Sequence, residues 1–210
     1  AKYKGRSTSG LSDIGCTSFF PSKPLGAYGD AGACFTSSAD LAERMKQILN
    51  HGQQGRYNHV RLGLNSRMDS IQAAVLLAKL DLLDDEITKR TLVSERYDLL
   101  LNREVESGQL KIPYVEPHNV SAWAQYTVEV DERDKVQKFM EVEGCPTAVH
   151  YPEPLYSIPV LRQDLCQLPN TERACNRVLS LPMHPYMGYE EQETIAKSLQ
   201  NAIGTGTGVL

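Results

Sequence analysis

A lysine near the start of the chain has the surroundings of a reactive amine. Lys23 lies in the segment Ser18-Phe19-Phe20-Pro21-Ser22-Lys23-Pro24-Leu25-Gly26, between the apolar end of a predicted strand and a glycine-containing loop. We predict that Lys23 is partly desolvated, which disfavours the charged form of an amine. A neutral amine can attack a carbonyl carbon and form a Schiff base. The ordinary alternative is a solvated surface lysine.

Two further segments contain side chains that could bind an anion or a polar ligand. Asn65 and Arg67 precede a predicted helix that begins near Asp69. Helix N-termini attract anions through free backbone N–H groups, and arginine binds phosphate or carboxylate through paired hydrogen bonds. His150 and Tyr151 end a predicted short strand and begin a proline-containing loop. Each segment also has a structural interpretation, as an ordinary helix cap or as a turn with partly buried rings.

The elements that would position these side chains mix strands and helices. Predicted strands cover residues 15–20, 32–36, 121–130 and 146–150. Predicted helices cover residues 39–50, 69–82, 87–102, 132–143, 173–179 and 190–203. The second and third of these helices are either separate or one long kinked helix, and Ser66 with Asp69 resembles a capping box. Residues 51–59 are predicted to be a polar loop.

Composition excludes several classes of protein. With 41% hydrophobic and 23% charged residues, the chain has an ordinary globular composition. A net charge of -4 gives no electrostatic reason to expect nucleic acid, and no apolar run is long enough to cross a membrane. We expect a cytoplasmic protein without a metal site. The scattered cysteines are predicted to be small buried side chains; they are Cys16, Cys34, Cys145, Cys166 and Cys175.

Several ordered segments together resemble the DegT/DnrJ/EryC1/StrS aminotransferases, which use pyridoxal 5'-phosphate (PLP) to aminate keto groups on nucleotide-linked sugars. The matching segments are Ser18–Asp30, His51-Gly52, Gly63–Ala74, His150-Tyr151-Pro152 and Leu179–Pro182. The resemblance runs from about residue 13 to residue 203. Residues 121–126 further resemble the branch that acts on UDP-linked N-acetylated sugars, including the 3-keto uronic acid enzymes.

The resemblance implies a role for each candidate site residue. Lys23 would form the Schiff base with PLP and move a proton between the cofactor and the substrate carbon. Ser18 would hydrogen-bond the PLP phosphate. Asn65 would reach the PLP phosphate of the neighbouring subunit, because sites in this family form across a dimer interface. The implied contacts to the nucleotide sugar are Arg67, His150 and Tyr151.

The implied fold is α/β, a partial PLP-dependent transferase type I fold. Residues 1–107 would be the C-terminal part of the large PLP-binding domain with long connecting helices. Residues 108–203 would form the small α+β C-terminal domain, and residues 204–210 a mobile tail. In the family, the aspartate that makes the PLP ring an electron sink lies upstream of the lysine, and Asp13 does not match its position. We therefore expect negligible transaminase activity from these 210 residues alone.

The predicted function is that of a PLP-dependent aminotransferase for a UDP-linked keto sugar. The product would serve biosynthesis of lipopolysaccharide, another surface polysaccharide or a related glycan. Glutamate is the expected amino donor and a homodimer the expected assembly. One alternative is a catalytically incompetent truncated module that acts in dimerisation or assembly. Another is a PLP dehydratase or a regulatory paralogue; family members without amination chemistry replace the lysine with histidine, so Lys23 favours transamination.

Overall fold

The computed structural model describes residues 1–161 and 167–205. The strands are β1 (Lys2–Tyr3), β2 (Arg6–Ser7), β3 (Gly15–Ser18), β4 (Gly32–Phe35), β5 (Gln53–Gly55), β6 (Asn58–His59), β7 (Leu110–Lys111), β8 (Asn119–Val120), β9 (Tyr126–Val130) and β10 (Val178–Leu181). The helices are α1 (Ala39–Leu49), α2 (Ser70–Leu80), α3 (Leu83–Leu100), α4 (Asn102–Glu106), α5 (Arg133–Val142), α6 (Pro169–Arg177) and α7 (Tyr189–Thr205). Cys166 and the predicted tail from residue 206 onwards lie outside the described residues.

The chain divides into two compact units. The first unit is Ala1–Ile87 with Val115–Ala122, and the second is Thr88–Tyr114 with Trp123–Leu210. This division passes through α3 rather than after residue 107, where the domain boundary was predicted. It does so because the second part of α3 supplies Tyr97 to the core of the second unit. In addition, β8 returns to the first unit and pairs with β1.

A two-stranded hairpin of β3 and β4 leads into α1 in the first unit. The strands are antiparallel, with Gly15 opposite Phe35 and Ser18 opposite Gly32. Ser38 is the N-cap residue of α1, and its side-chain oxygen accepts a hydrogen bond from the Leu41 backbone N–H at 3.3 Å. The predictions of both strands and of α1 are confirmed.

The segment predicted to be a polar loop contains the second hairpin of the first unit, formed by β5 and β6. The chain turns into this hairpin at Gly52, whose φ of +72° lies in the left-handed region that favours glycine. A Cβ at this position would lie 1.8 Å from the Arg61 carbonyl oxygen. The backbone can therefore close here only with glycine.

The helices after residue 69 are separate. Helix α2 ends at Leu80 and α3 begins at Leu83, so the question left open by the sequence is settled in favour of two helices. Asp69 is the N-cap residue of α2, but its side chain forms no capping hydrogen bond. The predicted capping box is therefore wrong.

The second unit is built on an antiparallel sheet with the strand order β10-β9-β7. Val178 lies opposite Glu129 and Leu181 opposite Tyr126. Alternate residues of β9 are buried, and β9 contributes to the apolar cluster into which α3, α5 and α7 also project side chains. This cluster is the core of the second unit.

Four predictions in the second unit need correction. The helix predicted over residues 173–179 ends at Arg177, because the next four residues form β10 and pair with β9. The strand predicted over residues 146–150 is reduced to a single bridge between Ala148 and Ser180. The strand predicted over residues 121–130 is restricted to β9. Helix α7 extends to Thr205, two residues into the predicted tail.

The cysteines differ in exposure. Cys145 and Cys175 are buried, as predicted, whereas Cys16 and Cys34 are exposed. The prediction was wrong for the latter pair because both residues lie on the hairpin of β3 and β4, most of whose residues are not buried. Within the described ranges, no helix combines the length and the apolarity that crossing a membrane requires.

Candidate active site

The loop that carries Lys23 follows directly from β3. The Lys23 backbone N–H donates to the Phe20 carbonyl oxygen at 2.9 Å, and the Ala27 N–H donates to the Phe19 carbonyl oxygen at 2.8 Å. A Cβ at Gly26 would lie 2.5 Å from the Pro21 carbonyl oxygen, so the loop can close only with glycine there. These contacts fold residues 19–27 into a compact turn.

The Lys23 side chain is exposed, so the predicted partial desolvation is wrong for this chain. The reason is its position: residues 20–23 lie in succession on the outside of the turn, and all four are exposed. Within residues 1–161 and 167–205, the amine of Lys23 has no hydrogen-bond or ion-pair partner. The side chain is therefore available to react with a ligand carbonyl.

Ser18 is the last residue of β3 and begins the same loop. Its Oγ accepts a hydrogen bond from the Phe20 backbone N–H at 3.2 Å. A hydroxyl that accepts in this way keeps its own proton for donation. Ser18 can therefore donate to a phosphate oxygen, and it lies on the same turn as the Lys23 amine.

Helix α2 braces this loop through two side chains. Gln72 Oε1 accepts a hydrogen bond from the Tyr28 backbone N–H at 2.8 Å. About two turns further along, Lys79 Nζ donates to the Gly26 carbonyl oxygen at 2.6 Å. Neither role could be predicted from the sequence, because the partners lie 44 and 53 positions away and no local pattern indicates the contacts.

Asn65 and Arg67 lie on the stretch that leads into α2. Asn65 forms a backbone bridge with Asn50 at the end of α1. Arg67 donates from its guanidinium to Asn50 Oδ1 at 2.7 Å, which leaves other N–H groups of the guanidinium free. Both side chains are exposed. The Asn65 amide and the Arg67 guanidinium thus lie two positions apart on one exposed stretch, where each can contact a polar ligand.

His150 and Tyr151 belong to the second unit. His150 Nδ1 lies 3.3 Å from Ser180 Oγ. The rings of His150 and Tyr151 meet edge to face, with their centroids 5.5 Å apart. Ser180 Oγ is also 2.9 Å from Thr127 Oγ1, so the sheet residue that orients His150 is itself held in place. Tyr151 is 71% exposed and presents its ring and hydroxyl outward.

The structure brings together some of the predicted residues. Ser18 and Lys23 share one turn, Asn65 and Arg67 share one extended stretch of the same unit, and His150 with Tyr151 forms a pair in the other unit. Among the described residues, no group of three His, Cys, Asp or Glu side chains is placed to hold a metal ion.

Comparison with known proteins agrees with these segments. The family model of the DegT/DnrJ/EryC1/StrS aminotransferases matches residues 1–200. A curated relative from Pseudomonas aeruginosa, named UDP-2-acetamido-2-deoxy-3-oxo-D-glucuronate aminotransferase, is 47% identical over 201 residues. These residues cover 96% of this chain and 55% of the relative. The similarity to the branch that includes 3-keto uronic acid enzymes is thereby confirmed.

Two solved structures share the fold. A DegT DnrJ EryC1 StrS aminotransferase from Brucella abortus has a TM-score of 0.89 at 38% identity, covering 97% of this chain and 54% of that one. NtdA from Bacillus subtilis, with bound cofactor PMP, has a TM-score of 0.84 at 30% identity, covering 92% and 46%. The chain spans about half the length of the relatives it matches. The predicted partial fold of a PLP-dependent aminotransferase is confirmed, and the chain belongs to the DegT/DnrJ/EryC1/StrS aminotransferase family.

Proposed function

We propose that the chain is the lysine-bearing part of a PLP-dependent aminotransferase that converts a keto group of a UDP-linked sugar into an amine. The observation that carries this proposal is the amine of Lys23, which has no partner among the described residues and shares its turn with the donor hydroxyl of Ser18. The 47% identity to a relative named for a UDP-linked 3-oxo sugar supports the substrate class.

Lys23 would hold the cofactor and then transfer a proton. Its amine would bond covalently to the PLP aldehyde carbon until the amino donor takes that place. PLP, when bound, supplies the electron-withdrawing ring that stabilises negative charge on the substrate carbon. The released Lys23 amine would then act as general base and acid, removing the proton from one carbon and returning it to the other.

Ser18 and Asn65 would bind the cofactor phosphate. The Ser18 hydroxyl proton is free to donate, and the exposed Asn65 amide has no side-chain hydrogen bond to another described residue. We assign Asn65 to the phosphate of a neighbouring subunit, so that a homodimer would complete each site. Neutral donors of this kind fix the orientation of a phosphate without neutralising its charge.

Arg67, His150 and Tyr151 would contact the nucleotide sugar. The guanidinium of Arg67 suits the diphosphate or a sugar carboxylate, and the ring and hydroxyl of the exposed Tyr151 suit a sugar or a base. We propose glutamate as the amino donor and a surface polysaccharide such as lipopolysaccharide, or a related glycan, as the destination of the product. The reaction is proposed to occur in the cytoplasm.

Covalent trapping of PLP tests the role of Lys23. The 210-residue chain is mixed with PLP, reduced with borohydride and digested, and the modified lysine is identified by mass spectrometry. We expect the label on Lys23 and its loss in Lys23→Ala. Lys138→Ala removes another exposed lysine without a partner among the described residues and should keep the label on Lys23.

The same sample separates the proposal from its alternative. A chain that acts only in dimerisation or assembly would take up no PLP at Lys23, and Lys23→Ala would leave its spectrum unchanged. Capture at Lys23 without turnover of glutamate and a UDP-linked keto sugar is the result we expect, because the carboxylate for the PLP ring nitrogen is not among these residues. Labelling spread evenly over surface lysines would refute the assignment of Lys23.

A further inference from the structure

Ser180 is a buried polar residue of β10, with 2% of its surface exposed. Its backbone N–H donates to the Ala148 carbonyl oxygen at 2.7 Å, and its carbonyl oxygen accepts from the Ala148 N–H at 3.1 Å. Both backbone groups of Ser180 therefore point towards Ala148. Thr127 of β9 lies opposite Ser180 on the other side, so Ser180 and Thr127 form a non-hydrogen-bonded pair, in which side chains approach most closely.

This register brings three polar side chains into one row. Ser180 Oγ is 2.9 Å from Thr127 Oγ1 and 3.3 Å from His150 Nδ1. His150 follows Ala148 by two positions, so the bridge between Ala148 and Ser180 brings its ring to the serine hydroxyl. Thr127, His150 and Ser180 all belong to the second unit. The row is therefore complete within that unit.

The two hydroxyl protons decide the order of donation in this row. If Thr127 donates to Ser180 and Ser180 donates to His150 Nδ1, each hydroxyl proton has an acceptor. If Nδ1–H donated to Ser180 and Ser180 to Thr127, the Thr127 proton would have no acceptor among the described residues. If Ser180 accepted from both neighbours, its own buried proton would have none. Because buried polar groups are almost always paired, the first order is favoured.

The order of donation fixes the protonation of the His150 ring. A neutral imidazole has one N–H donor and one unprotonated nitrogen, and the hydrogen bond made by one nitrogen determines which is which. Because Nδ1 accepts from Ser180, the proton of the neutral ring lies on Nε2. In residues 1–161 and 167–205, Nε2 has no hydrogen-bond partner. Nε2–H is therefore the donor that the neutral ring can offer to a ligand.

We propose that Ser180 is a positioning residue, which together with Thr127 holds the neutral His150 ring in one orientation with its proton on Nε2. The inference rests on the proposed function, in which His150 contacts the nucleotide sugar. There the ring would donate a hydrogen bond to an acceptor oxygen of that substrate. A ring fixed in this way cannot accept at Nε2, so it favours an acceptor oxygen over a donor group at the same place in the ligand. Ser180 itself does not touch the substrate.

NMR of the 210-residue chain tests the order of donation without any ligand. The histidines are labelled with nitrogen-15, and long-range proton–nitrogen correlation spectra are recorded as the pH is raised until the His150 signals stop changing. These spectra show which nitrogen of the neutral ring carries the proton, and we expect Nε2. A proton on Nδ1 would overturn the proposal, because Ser180 would then accept from the ring.

Ser180→Ala tests whether the serine hydroxyl holds the ring, since an unrestrained imidazole can also carry its proton on Nε2. In wild type we expect the ring C–H bonds of His150 to be as ordered as the backbone around them. In Ser180→Ala their order parameter should fall below about 0.6, the value that marks flexible groups, because Nδ1 loses its donor. Equal ring order in Ser180→Ala and wild type would overturn the positioning role.

Substitutions of Thr127 test the next step along the row. Thr127→Val keeps the branched shape of the side chain but removes the proton donated to Ser180, so the order of the His150 ring should fall. Thr127→Ser keeps the hydroxyl and should restore the wild-type order. If Thr127→Val leaves the ring as ordered as wild type, Thr127 has no part in holding it.

A matched serine separates these effects from a general loss of packing. Ser198 of α7 is 5% exposed, and its hydroxyl has no hydrogen-bond partner among the described residues. Ser198→Ala makes the same change in the same unit and should leave the His150 signals unchanged. Because no ligand is added, these spectra do not depend on what the chain binds. A failure of PLP trapping at Lys23 would refute the proposed function, whereas a mobile His150 ring in wild type would refute the role of Ser180.

Discussion

The reactivity proposed for Lys23 depends on availability rather than on burial. Its exposed amine has no partner among the described residues, so no ion pair has to break before it meets a carbonyl. A bound anionic cofactor would itself change the electrostatic environment of this amine. The chain therefore supplies the nucleophilic amine and the turn that positions it, while the charge of the bound cofactor would set much of the electrostatic potential at that amine.

The titration of the Asp98 carboxyl group should make the free energy of unfolding depend on pH. It accepts a hydrogen bond from the buried Tyr126 hydroxyl at 2.5 Å. Partial burial raises the pKa of Asp98, opposed by the Tyr126 hydrogen bond and assisted by Glu95. A folded-state pKa above the unfolded one means stability that is present at low pH and lost as pH rises through the folded pKa.

Asp98→Asn should therefore remove a pH dependence. The asparagine Oδ1 can still accept from Tyr126 but does not ionise. We expect the free energy of unfolding of Asp98→Asn to rise relative to wild type as pH rises above the ordinary aspartate pKa of about 4, with a slope below about 1.4 kcal/mol per pH unit. Urea unfolding at several pH values measures this difference.

Asp81 provides the matched control for this titration. It is exposed at the end of α2, and Asp81→Asn makes the same chemical change outside the core, so it shows what the substitution does without the contact to Tyr126. If Asp98→Asn loses stability relative to wild type as pH rises, the sign assigned to Asp98 is wrong. Equal profiles for Asp98→Asn and wild type would mean that the carboxylate gains as much from its hydrogen bond as it loses by burial.

At the scale of elements, α2 holds the turn that carries Lys23. Gln72 and Lys79 lie seven residues apart, which is about two turns of helix and places them on one face. Gln72 satisfies the Tyr28 N–H and Lys79 satisfies the Gly26 carbonyl. Both ends of the segment 26–28 are thus hydrogen-bonded to the same helix, and α2 fixes the position of the turn.

Gln72→Ala should loosen the turn where Tyr28 leaves it. The substitution removes the acceptor of the Tyr28 N–H and keeps a good helix former. We expect the Tyr28 amide proton to exchange with solvent about tenfold faster, which corresponds to the loss of about 1.4 kcal/mol of protection, a typical value for one hydrogen bond. Amide hydrogen exchange followed by NMR measures this rate.

Gln72→Glu is the conservative control for this experiment. Its carboxylate oxygen can still accept from the Tyr28 N–H, so exchange at Tyr28 should stay near the wild-type rate. PLP trapping at Lys23 should weaken in Gln72→Ala and recover in Gln72→Glu. Unchanged exchange at Tyr28 in Gln72→Ala would show that the helix does not brace the turn.

Elements with a strong local pattern could be predicted from the sequence. Helix α1 has a capping serine and α7 has a long apolar period, and both were located to within two residues. The two-residue strands and β10 could not be predicted in this way. The first two residues of β10 fall within the predicted helix 173–179, because the pairing of β10 with β9 depends on residues about 50 positions away.

The candidate site also contains residues that the sequence predicts and residues that it does not. Its contiguous part, Ser18 with Lys23, was predicted from one segment, whereas the residues that brace it come from a helix far along the chain. The sequence does not predict that Cys16 lies opposite Cys34, because the register of the hairpin of β3 and β4 sets this pairing and the spacing of the two residues does not. Contacts of high sequence separation leave no local signal, and most of the support for this site is of that kind.

At the scale of the molecule, the buried apolar residues are unevenly distributed. The apolar cluster described for this chain lies in the second unit, where Tyr126 and Val128 of β9 are fully buried. In the first unit, β3 and β4 expose most of their residues. Local stability follows buried apolar contact, so we expect amides of β9 to be the better protected against exchange.

A matched pair of leucine truncations tests this distribution. Leu199 in α7 is fully buried, whereas Leu99 in α3 is 78% exposed, and both lie in helices of the second unit. Leu199→Ala should destabilise that unit by about 2–5 kcal/mol, because it removes apolar contacts and leaves a cavity. Leu99→Ala makes the same chemical change at the surface and should alter stability by less than about 0.5 kcal/mol.

Hydrogen exchange of the β9 amides gives the readout of both substitutions. Some amide protons exchange only when the whole unit unfolds. Their exchange rate rises about tenfold for each 1.4 kcal/mol by which a substitution lowers the free energy of unfolding. Leu199→Ala should therefore accelerate exchange at Val128 by about 30-fold or more, and Leu99→Ala should leave it unchanged. Equal acceleration by the two variants would contradict a core centred on β9. It would mean that a surface leucine contributes as much to the stability of the unit as a leucine in the buried cluster.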